Sequence, residues 1–318
     1  MEKGFWNHTM KVLEFRKNIT SQDPVIVTIG NFDGVHLGHQ SLIRKIVKEA
    51  QQRSCSSVLM TFDPHPQEVI HPQLAVPKIC TPDLRIKLLE VLGLDAVHII
   101  RFTKDFSKLS PEDFALHFLI ERFNIVKLVV GYDFHFGKSR AGNATLLENY
   151  AQKYRFDFEQ IHPIQIDGRT VSSTLIREMI SNNQFDEIPK LLGRHYSIYA
   201  VIEKGDQRGH TLGFPTANQC LGNIPLNKGV YVTKVTLREQ TYYGVTNVGV
   251  KPTFGQNEQA VETHIFDFDE DIYGEFLEVK PLKFLRGEKK FSNIASLTQQ
   301  IKDDIQTAKS YLQSENLI

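Results

Sequence analysis

The sequence predicts an α/β protein of two domains, a doubly wound parallel sheet followed by a small antiparallel β-barrel. The chain has 318 residues, which is more than a single hydrophobic core usually serves. Up to about residue 185, short β-branched runs alternate with helical patterns, as in parallel sheets joined by crossover helices. Beyond that point, β-type runs follow one another with glycine, proline or asparagine between them. This second pattern is typical of a small barrel.

The first half of the chain supplies the parallel sheet. Residues 24–30, PVIVTIG, are an apolar run followed by a glycine-rich loop and a helical pattern, QSLIRKIVKEAQQ. The strand pattern returns in SSVLMTF, DAVHIIRF and VKLVVGYDF, and the helical pattern in TPDLRIKLLEVLG and SPEDFALHFLIERF. Pro82 and Pro111 mark expected helix starts, Ser110 is an expected N-cap, and Gly93 marks an expected end. Such sheets bind ligands at the carboxyl ends of their strands. The glycine loop, FDPHP and GYDFHFG are therefore expected at one edge.

The second half supplies the barrel. A short connecting helix is expected in SNNQFDEIPKLLGRHY, and strands in YSIYAVIEKG, GVYVTKVTL, TYYGVTNVGV, AVETHIFDF and FLEVKPLKFL. The chain closes with a helix whose apolar positions form one stripe, predicted to pack on the barrel: Ile294, Leu297, Ile301, Ile305, Ala308 and Leu312. We place the domains at residues 1–186 and 187–318.

Composition narrows the class of protein. Lys plus Arg and Asp plus Glu both total 37, and this balance argues against a nucleic-acid binder that works by bulk charge. No apolar run is long enough to span a bilayer, and the N-terminus lacks the layout of a secretory signal. The 3 cysteines are far apart, which is typical of a reducing compartment. We expect a cytoplasmic protein, a monomer or weak homo-oligomer, with no nucleic-acid or membrane partner.

The loop GNFDGVHLGH, residues 30–39, is the first candidate site. It leads from a buried strand into a helix, so backbone N–H groups and the positive helix end face any bound ligand. Gly34 and Gly38 allow the backbone to approach that ligand closely. His36 and His39 suit contact with a polyphosphate. The residues alone leave a metal site and purely structural histidines open as alternatives.

A second cluster, VSSTLIRE, spans residues 171–178. Ser172, Ser173 and Thr174 stand where a helix begins, and Arg177 follows one turn later. These hydroxyls could cap the helix and do nothing more. Hydroxyls, unsatisfied N–H groups and an arginine at one helix end also form an anion site. Two such sites in one doubly wound domain indicate a nucleoside triphosphate.

These motifs resemble the paired His-x-Gly-His and Ser-Ser-Thr-x-x-Arg signature of the Rossmann-like nucleotidylyltransferase superfamily. The fuller string, TIGNFDGVHLGHQSLI, TFDPHP, VVGYDFHFGKSRAGN and VSSTLIRE, is similar to the FMN adenylyltransferase half of bacterial FAD synthetases. The resemblance implies attack of the FMN phosphate on the α-phosphate of ATP, with His36 and His39 as catalytic residues. It assigns ATP binding to Gly30, Phe32, Gly38, Ser173, Thr174 and Arg177. It assigns flavin or nucleotide contacts to Asp63, Asp133 and Phe136, although position 133 is often Asn in the family.

The third motif is KGDQRGHTLGFPTAN, residues 204–218. Its spaced glycines, Gly205, Gly209 and Gly213, indicate a flexible lid over phosphates. After Pro215 the chain is extended, so Thr216 and Asn218 point to one side. Their oxygens suit Mg²⁺, although a plain hydrogen-bonded turn fits these residues equally well.

Glu262 is the remaining candidate, in the strand AVETHIF. It shares one face of that strand with His264, opposite Val261, Thr263 and Ile265. A carboxylate on a strand is usually only solvated. It could also orient a substrate hydroxyl for phosphoryl transfer, and the residues alone do not decide between the two.

From about residue 187 the chain resembles riboflavin kinases, through LGFPTAN, GVYVTKV, YYGVTNVGVKPTFG, VETHIFDFDEDIYG and FLR. The resemblance implies a six-stranded Greek-key barrel, Mg²⁺ and ATP phosphate at Thr216 and Asn218, and activation of the riboflavin 5′-hydroxyl by Glu262. It places ATP or flavin contacts at Gly205, Gly209, Gly213, Pro215 and Asn247. Ala200 and His210 depart from the family pattern, which has Gly and Arg there, and bear on lid movement and affinity.

Together the motifs predict an enzyme that converts riboflavin to FMN and FMN to FAD, with ATP as co-substrate and Mg²⁺ in both steps. One alternative is a nucleotidylyltransferase for another phosphate, fused to an unrelated barrel. A second alternative is a flavin-binding regulator that lacks one of the two activities.

Overall fold

A computed structural model describes residues 10–15, 21–74, 76–205, 209, 212–253 and 256–318. Its contacts divide the chain into two compact units, which we describe separately. The first comprises Met1–Val76 and Arg85–Ser172, and the second comprises Pro77–Leu84 and Ser173–Ile318. The boundary expected at residue 187 concerns the two activities rather than the packing, and it stays a prediction.

The first unit is built on a parallel sheet. Its strands are β1 (Lys11–Glu14), β2 (Ser21–Ile29), β3 (Ser56–Asp63), β4 (Ala96–Arg101), β5 (Phe123–Val130) and β6 (Asp157–Gln160). Its helices are α1 (Leu37–Gln52), α2 (Pro66–Ile70), α3 (Pro82–Val91), α4 (Pro111–Phe114) and α5 (Ala144–Tyr154), and a small hairpin pairs β7 (Gln165–Ile166) with β8 (Arg169–Thr170). Helix α4 continues as a π-helix, Ala115–Ile120, and α3 crosses the division between the units after Leu84.

The strand order confirms the doubly wound prediction. It is β1-β4-β3-β2-β5-β6, and every neighbouring pair is parallel. The sheet grows to one side from β2 through β3 to β4, and to the other side from β5 to β6. The switch in direction therefore falls between β2 and β5, where open α/β sheets bind ligands. The glycine loop, FDPHP and GYDFHFG follow β2, β3 and β5, so they meet at this edge as expected.

Apolar side chains of the central strand enter cores on both faces of the sheet. Val25, Val27 and Ile29 join one buried cluster, and Ile26 joins the other. This alternation is what a strand covered on both sides requires. Ser110 caps α4 as predicted, because its Oγ accepts from the Asp113 N–H at 3.0 Å.

Within its described residues, the second unit contains a barrel and helices that accompany it. The helices are α6 (Ser173–Ser181), α7 (Ile188–Leu192) and α8 (Ile294–Ser314). The strands are β9 (Ile198–Val201), β10 (Ala217–Leu221), β11 (Gly229–Leu237), β12 (Gln240–Thr253), β13 (Gln256–Ile265) and β14 (Phe276–Arg286). Their order is β10-β13-β12-β11-β14-β9, with all neighbours antiparallel. A bridge between Glu203 and Asn218 brings the two edges together and nearly closes the six-stranded barrel.

The terminal helix packs on the barrel through its second half. Ala308 and Leu312 are fully buried against barrel residues such as Val230 and Val245. The prediction for the start of the stripe was wrong, because Ile294 is 69% exposed. The helix turns Asp304 inward instead. Its carboxylate accepts from the Arg286 guanidinium in β14, with the shortest distance 2.6 Å.

In the part of the chain that the structure describes, no helix combines the length and apolarity needed to cross a bilayer.

Candidate active sites

The glycine loop adopts an unusual backbone. Phe32 and Val35 have φ values of 50° and 40°, in the left-handed region that residues other than glycine rarely enter. The ring of Phe32 is 2% exposed and packs in the core beneath the loop. Val35 is also buried, and it is β-branched, which raises the cost of its φ. Backbone strain of this kind persists where the surroundings fix it, and it is concentrated at functional sites.

Two side chains stabilise the glycine loop by hydrogen bonds to one of its carbonyl groups. The carbonyl oxygen of Asn31 accepts from Thr61 Oγ1 in β3 and from Arg85 Nη1 in α3, each at 3.2 Å. The sequence pattern did not indicate Arg85, because α3 carries no motif there and the contact depends on tertiary packing. Arg85 and Thr61 fix the direction of the peptide that starts the turn.

The two histidines form a fixed pair at the N-terminus of α1. His36 is the N-cap, and its Nδ1 accepts from the His39 N–H at 3.3 Å. The rings are stacked, with centroids 3.6 Å apart and planes 16° apart. Because Nδ1 accepts, the neutral His36 ring carries its proton on Nε2. A Cβ on Gly38 would lie 3.0 Å from Cε1 of His36, so glycine at this position leaves room for the ring.

The candidate flavin contacts of the first unit lie in different surroundings. Asp63 ends β3 and Asp133 follows β5, and both carboxylates are exposed at the ligand-binding edge. Burial raises the pKa of the Tyr132 phenol, and the Asp133 carboxylate adds to that rise. Phe136 is buried and packs against Phe134 with ring centroids 5.6 Å apart. A flavin contact by Phe136 would require this packing to open.

The Ser-Ser-Thr-x-x-Arg motif spans the division between the units: Ser172 ends the first unit, and α6 begins with the next residue in the second unit. Ser173 is the first helical residue, and Thr174 beside it is exposed. Arg177 lies one turn later, where its Nε donates to the Pro77 carbonyl at 2.7 Å. The helix thus begins where predicted, and one hydrogen-bond acceptor of its arginine is a neutral carbonyl.

In the barrel, three predicted residues lie side by side. Asn218 of β10 is paired with Glu262 of β13, and Glu262 is paired with Asn247 of β12. Residues directly opposite each other in antiparallel strands project from the same face, with Cβ atoms about 5 Å apart. The register therefore brings two amides and a carboxylate into one row. Their separation in sequence, from 218 to 262, gave no sign of this pairing.

Thr216 and Asn218 are held together beneath the glycine segment. Asn218 Nδ2 donates to the Thr216 carbonyl at 3.1 Å and lies 3.4 Å from Thr216 Oγ1. A Cβ on Gly205 would lie 2.5 Å from the Asn218 Cγ, and a Cβ on Gly209 would lie 3.3 Å from Thr216 Oγ1. The first two glycines of the motif thus allow the backbone to cover both side chains. His210 lies outside the described residues.

Neighbouring residues support this arrangement. The ring of His264 donates from Nδ1 to the Pro215 carbonyl at 2.9 Å and so fixes the residue before Thr216. The alternation of β13 predicted that His264 shares a face with Glu262, but it did not indicate this role. Ala200 is a regular β9 residue paired with Leu277, and its carbonyl accepts from the buried Gln219 side chain at 2.8 Å.

A cleft of about 390 Å³ opens beside Thr216 and Asn218. Its apolar walls include Ile202, Ile265 and Ile272, and an acidic turn, residues 269–271, stands at its rim. Small-molecule sites combine such apolar walls with a few placed polar groups. The cleft therefore suits a small ligand with an apolar part and a polar end that reaches the hydroxyl and the amide.

The two units together define a nucleotide-dependent transferase with one ligand-binding sheet edge and one barrel site. Residues 18–175 match the FAD synthetase family, and residues 192–312 match the riboflavin kinase family. The chain is 37% identical to the bifunctional riboflavin kinase/FMN adenylyltransferase of Buchnera aphidicola subsp. Schizaphis graminum, over 90% of this chain and 93% of the relative. It is 32% identical to the protein of that name from Escherichia coli K12, over 95% and 98%. The chain belongs to the family of bifunctional riboflavin kinase/FMN adenylyltransferases.

One solved structure is similar over nearly the whole chain. It is the crystal structure of a macrolide-efflux protein from Streptococcus pneumoniae, with 32% sequence identity and a TM-score of 0.73. The match covers 93% of this chain and 97% of that one.

Proposed function

We propose that this chain makes FAD from riboflavin in two ATP-dependent steps and that the described side chains divide the work between two sites. The first step phosphorylates riboflavin to FMN, and the second transfers an adenylyl group from ATP to FMN. The row of Asn218, Glu262 and Asn247 is the observation that carries the proposal, because one register assembles three residues that the family resemblance assigns to the kinase.

In the kinase step, Glu262 accepts the proton of the riboflavin 5′-hydroxyl as its oxygen attacks the γ-phosphorus of ATP. The bond to the β,γ-bridging oxygen breaks, and ADP leaves. The two amides beside Glu262 orient the hydroxyl and the phosphate, since such reactions depend mainly on positioning and charge stabilisation. Gly205, Gly209 and Gly213 form the covering segment, and Pro215 directs Thr216 toward the phosphates.

Mg²⁺ fits Thr216 and Asn218. A hydroxyl and an amide oxygen are hard ligands, so the Thr216 hydroxyl and the Asn218 amide oxygen would hold the ion. No group of three or more His, Cys, Asp or Glu side chains within the described residues could hold a metal. Mg²⁺ commonly takes most of its ligands from water and phosphate. When bound, Mg²⁺ supplies charge neutralisation of the ATP phosphates.

In the transferase step, a phosphate oxygen of FMN attacks the α-phosphorus of ATP, and pyrophosphate leaves as the α,β bond breaks. His36 and His39 donate hydrogen bonds to the developing charge, and the Nε2 proton of His36 follows from its capping bond. Gly30, Phe32 and Gly38 shape the loop. Ser173, Thr174 and Arg177 bind the β- and γ-phosphates, and Asp63, Asp133 and Phe136 stay predictions for flavin or nucleotide contact.

Product chromatography from riboflavin, ATP and Mg²⁺ tests the proposal: FMN should appear first and FAD second. In the full chain, His36→Ala should abolish FAD formation and leave FMN formation intact. Glu262→Gln should abolish FMN formation from riboflavin and leave FAD formation from added FMN intact. Loss of both activities in either folded variant would contradict the division of work, and unchanged kinase activity in Glu262→Gln would remove Glu262 from the mechanism.

A further inference from the structure

Residues 77–81, which we call the strap, belong to the second unit although they precede most of the first unit in sequence. Ile79 is 2% exposed, and Cys80 beside it is buried as well. A surface connection would leave such residues accessible, since connecting segments usually run over the outside of a protein. The strap is therefore a packed part of the second unit.

One peptide group of the strap is held on both sides. The carbonyl of Pro77 accepts from Arg177 Nε at 2.7 Å, and the N–H of Lys78 donates to the Asn223 carbonyl at 2.8 Å. Both groups belong to the planar unit that joins Pro77 to Lys78. In a trans peptide they point in opposite directions, so a rotation that improves one bond breaks the other. The direction of the carbonyl that meets Arg177 is thus set from the barrel side by Asn223, which follows β10.

The far end of the strap is tied to the barrel as well. Thr81 Oγ1 donates to the Tyr199 carbonyl in β9 at 2.6 Å. The end of α6 has its own attachment, because Asn227 Nδ2 donates to the Ser181 carbonyl. Asn227 is held in turn by its carbonyl, which accepts from the Tyr231 hydroxyl at 2.6 Å. The strap and the helix that carries Arg177 are therefore both hydrogen-bonded to the barrel, either to strand β9 or to the loop between β10 and β11.

The chemistry of the strap suits an arginine that binds an anion. A carbonyl oxygen accepts a hydrogen bond without carrying a formal charge. It therefore fixes the direction of the guanidinium and adds no formal charge to its surroundings. A carboxylate in the same place would hold Arg177 more strongly, but it would also cancel the charge that attracts phosphate.

We propose that the strap is a positioning segment for adenylyl transfer, which holds Arg177 in place from the kinase barrel. The inference rests on the phosphate-binding role of Arg177 stated under the proposed function. It adds that residues 77–81 determine how well Arg177 meets ATP, although none of them touches the substrate.

The test is a double-mutant cycle in the full chain, in which the KM of the transferase reaction for ATP is measured for each variant. Thr81→Val removes the hydrogen bond to Tyr199 and also the one that Thr81 Oγ1 accepts from the Leu84 N–H at the start of α3. It should raise this KM at least about fivefold, the loss expected for one hydrogen bond, with kcat changed less. Thr81→Ser keeps the hydroxyl and should restore the wild-type value. Pro77→Gly keeps the carbonyl but loosens its peptide, and it should raise the same KM. Kinase parameters should stay within about twofold of wild type, since Thr81 and Pro77 lie outside the kinase site.

The cycle is completed with Arg177→Met. If the strap acts through Arg177, Thr81→Val should have no further effect on KM in the Arg177→Met background. An equal effect in both backgrounds, or a proportional loss of both enzyme activities, would show a merely structural role and overturn the inference. A normal KM in Thr81→Val alongside a raised KM in Arg177→Met would also overturn it. Unchanged transferase kinetics in Arg177→Met would instead refute the phosphate role on which the inference rests.

Discussion

His98 makes the first unit sensitive to acid. It lies in β4, 5% exposed, between the rings of Phe123 and Phe15, whose centroids are 5.1 and 6.3 Å from its own. Within the described residues, its buried Nδ1 has no hydrogen-bond partner. Burial lowers the pKa of His98 from 6.5 to about 4. The folded state therefore requires a neutral ring over a pH range in which the unfolded chain binds a proton.

The sign and size of the effect follow from this difference. Since the unfolded chain is protonated below pH 6.5 and the folded chain is not, folding free energy is lost as the pH falls from 6.5 toward 4. The full difference corresponds to about 3 kcal/mol, and between pH 7.5 and pH 5 the loss is about 2 kcal/mol. His98→Leu, which keeps an apolar side chain of similar size, should not show this loss.

Urea unfolding at a series of pH values measures the effect, with hydrogen exchange of β4 peptides to assign it to the first unit. The free energy of unfolding of wild type minus that of His98→Leu should fall by about 2 kcal/mol between pH 7.5 and pH 5. His162→Leu, at an exposed histidine of the same unit, is the matched control and should follow wild type. Parallel pH curves for wild type and His98→Leu would refute the reasoning.

Three further substitutions test packing at sites described above. Gly205→Ala places a methyl group 2.5 Å from the Asn218 Cγ. The KM of the kinase reaction for ATP should therefore rise several-fold, while the transferase kinetics stay unchanged. Kinase kinetics equal to those of the wild type would contradict the close approach. Asp304→Ala leaves the Arg286 guanidinium without its carboxylate in a largely buried position. The free energy of unfolding of the second unit, measured in urea, should fall by about 3 kcal/mol. An unchanged unfolding midpoint would show that the pair is not stabilising. Ser110→Ala removes the N-cap of α4 and should cost about 1 kcal/mol, with Ser110→Asp as the variant that keeps the cap.

The sequence predicted what depends on local pattern. The order of strands and helices, the cap at Ser110 and the meeting of three loops at one sheet edge all follow from periodicity and chain direction. Among the labelled elements, those not predicted are β1, β6, β7, β8, β10, α2 and α5, together with the π-helix after α4. The edge strands β1 and β6 are 4 residues long and largely accessible, so they carry little of the apolar alternation by which strands are found.

In the candidate sites as well, single residues could be predicted from the sequence, whereas the contacts between them could not. The sequence pointed to His36, Asn218 and Glu262 as single candidates, but it contained nothing about the register that pairs Asn218 with Glu262. Arg85 carried no motif at all, because its contact with Asn31 arises from packing between elements distant in sequence. In the terminal helix, the predicted apolar stripe is buried at Ala308 and Leu312 but not at Ile294, and the inward face also carries the charged pair of Asp304, which the apolar pattern did not indicate.

The strap also bears on how the chain folds as it is synthesised. Its residues leave the ribosome well before their partners Arg177, Tyr199 and Asn223, because synthesis runs from the N-terminus. Until residue 223 has emerged, the Pro77–Lys78 peptide lacks its barrel partner, and Ile79 has no completed second unit in which to be buried. Helix α3 begins directly after this segment. The strap therefore lacks its barrel partners on the nascent chain until residue 223 of 318 has emerged.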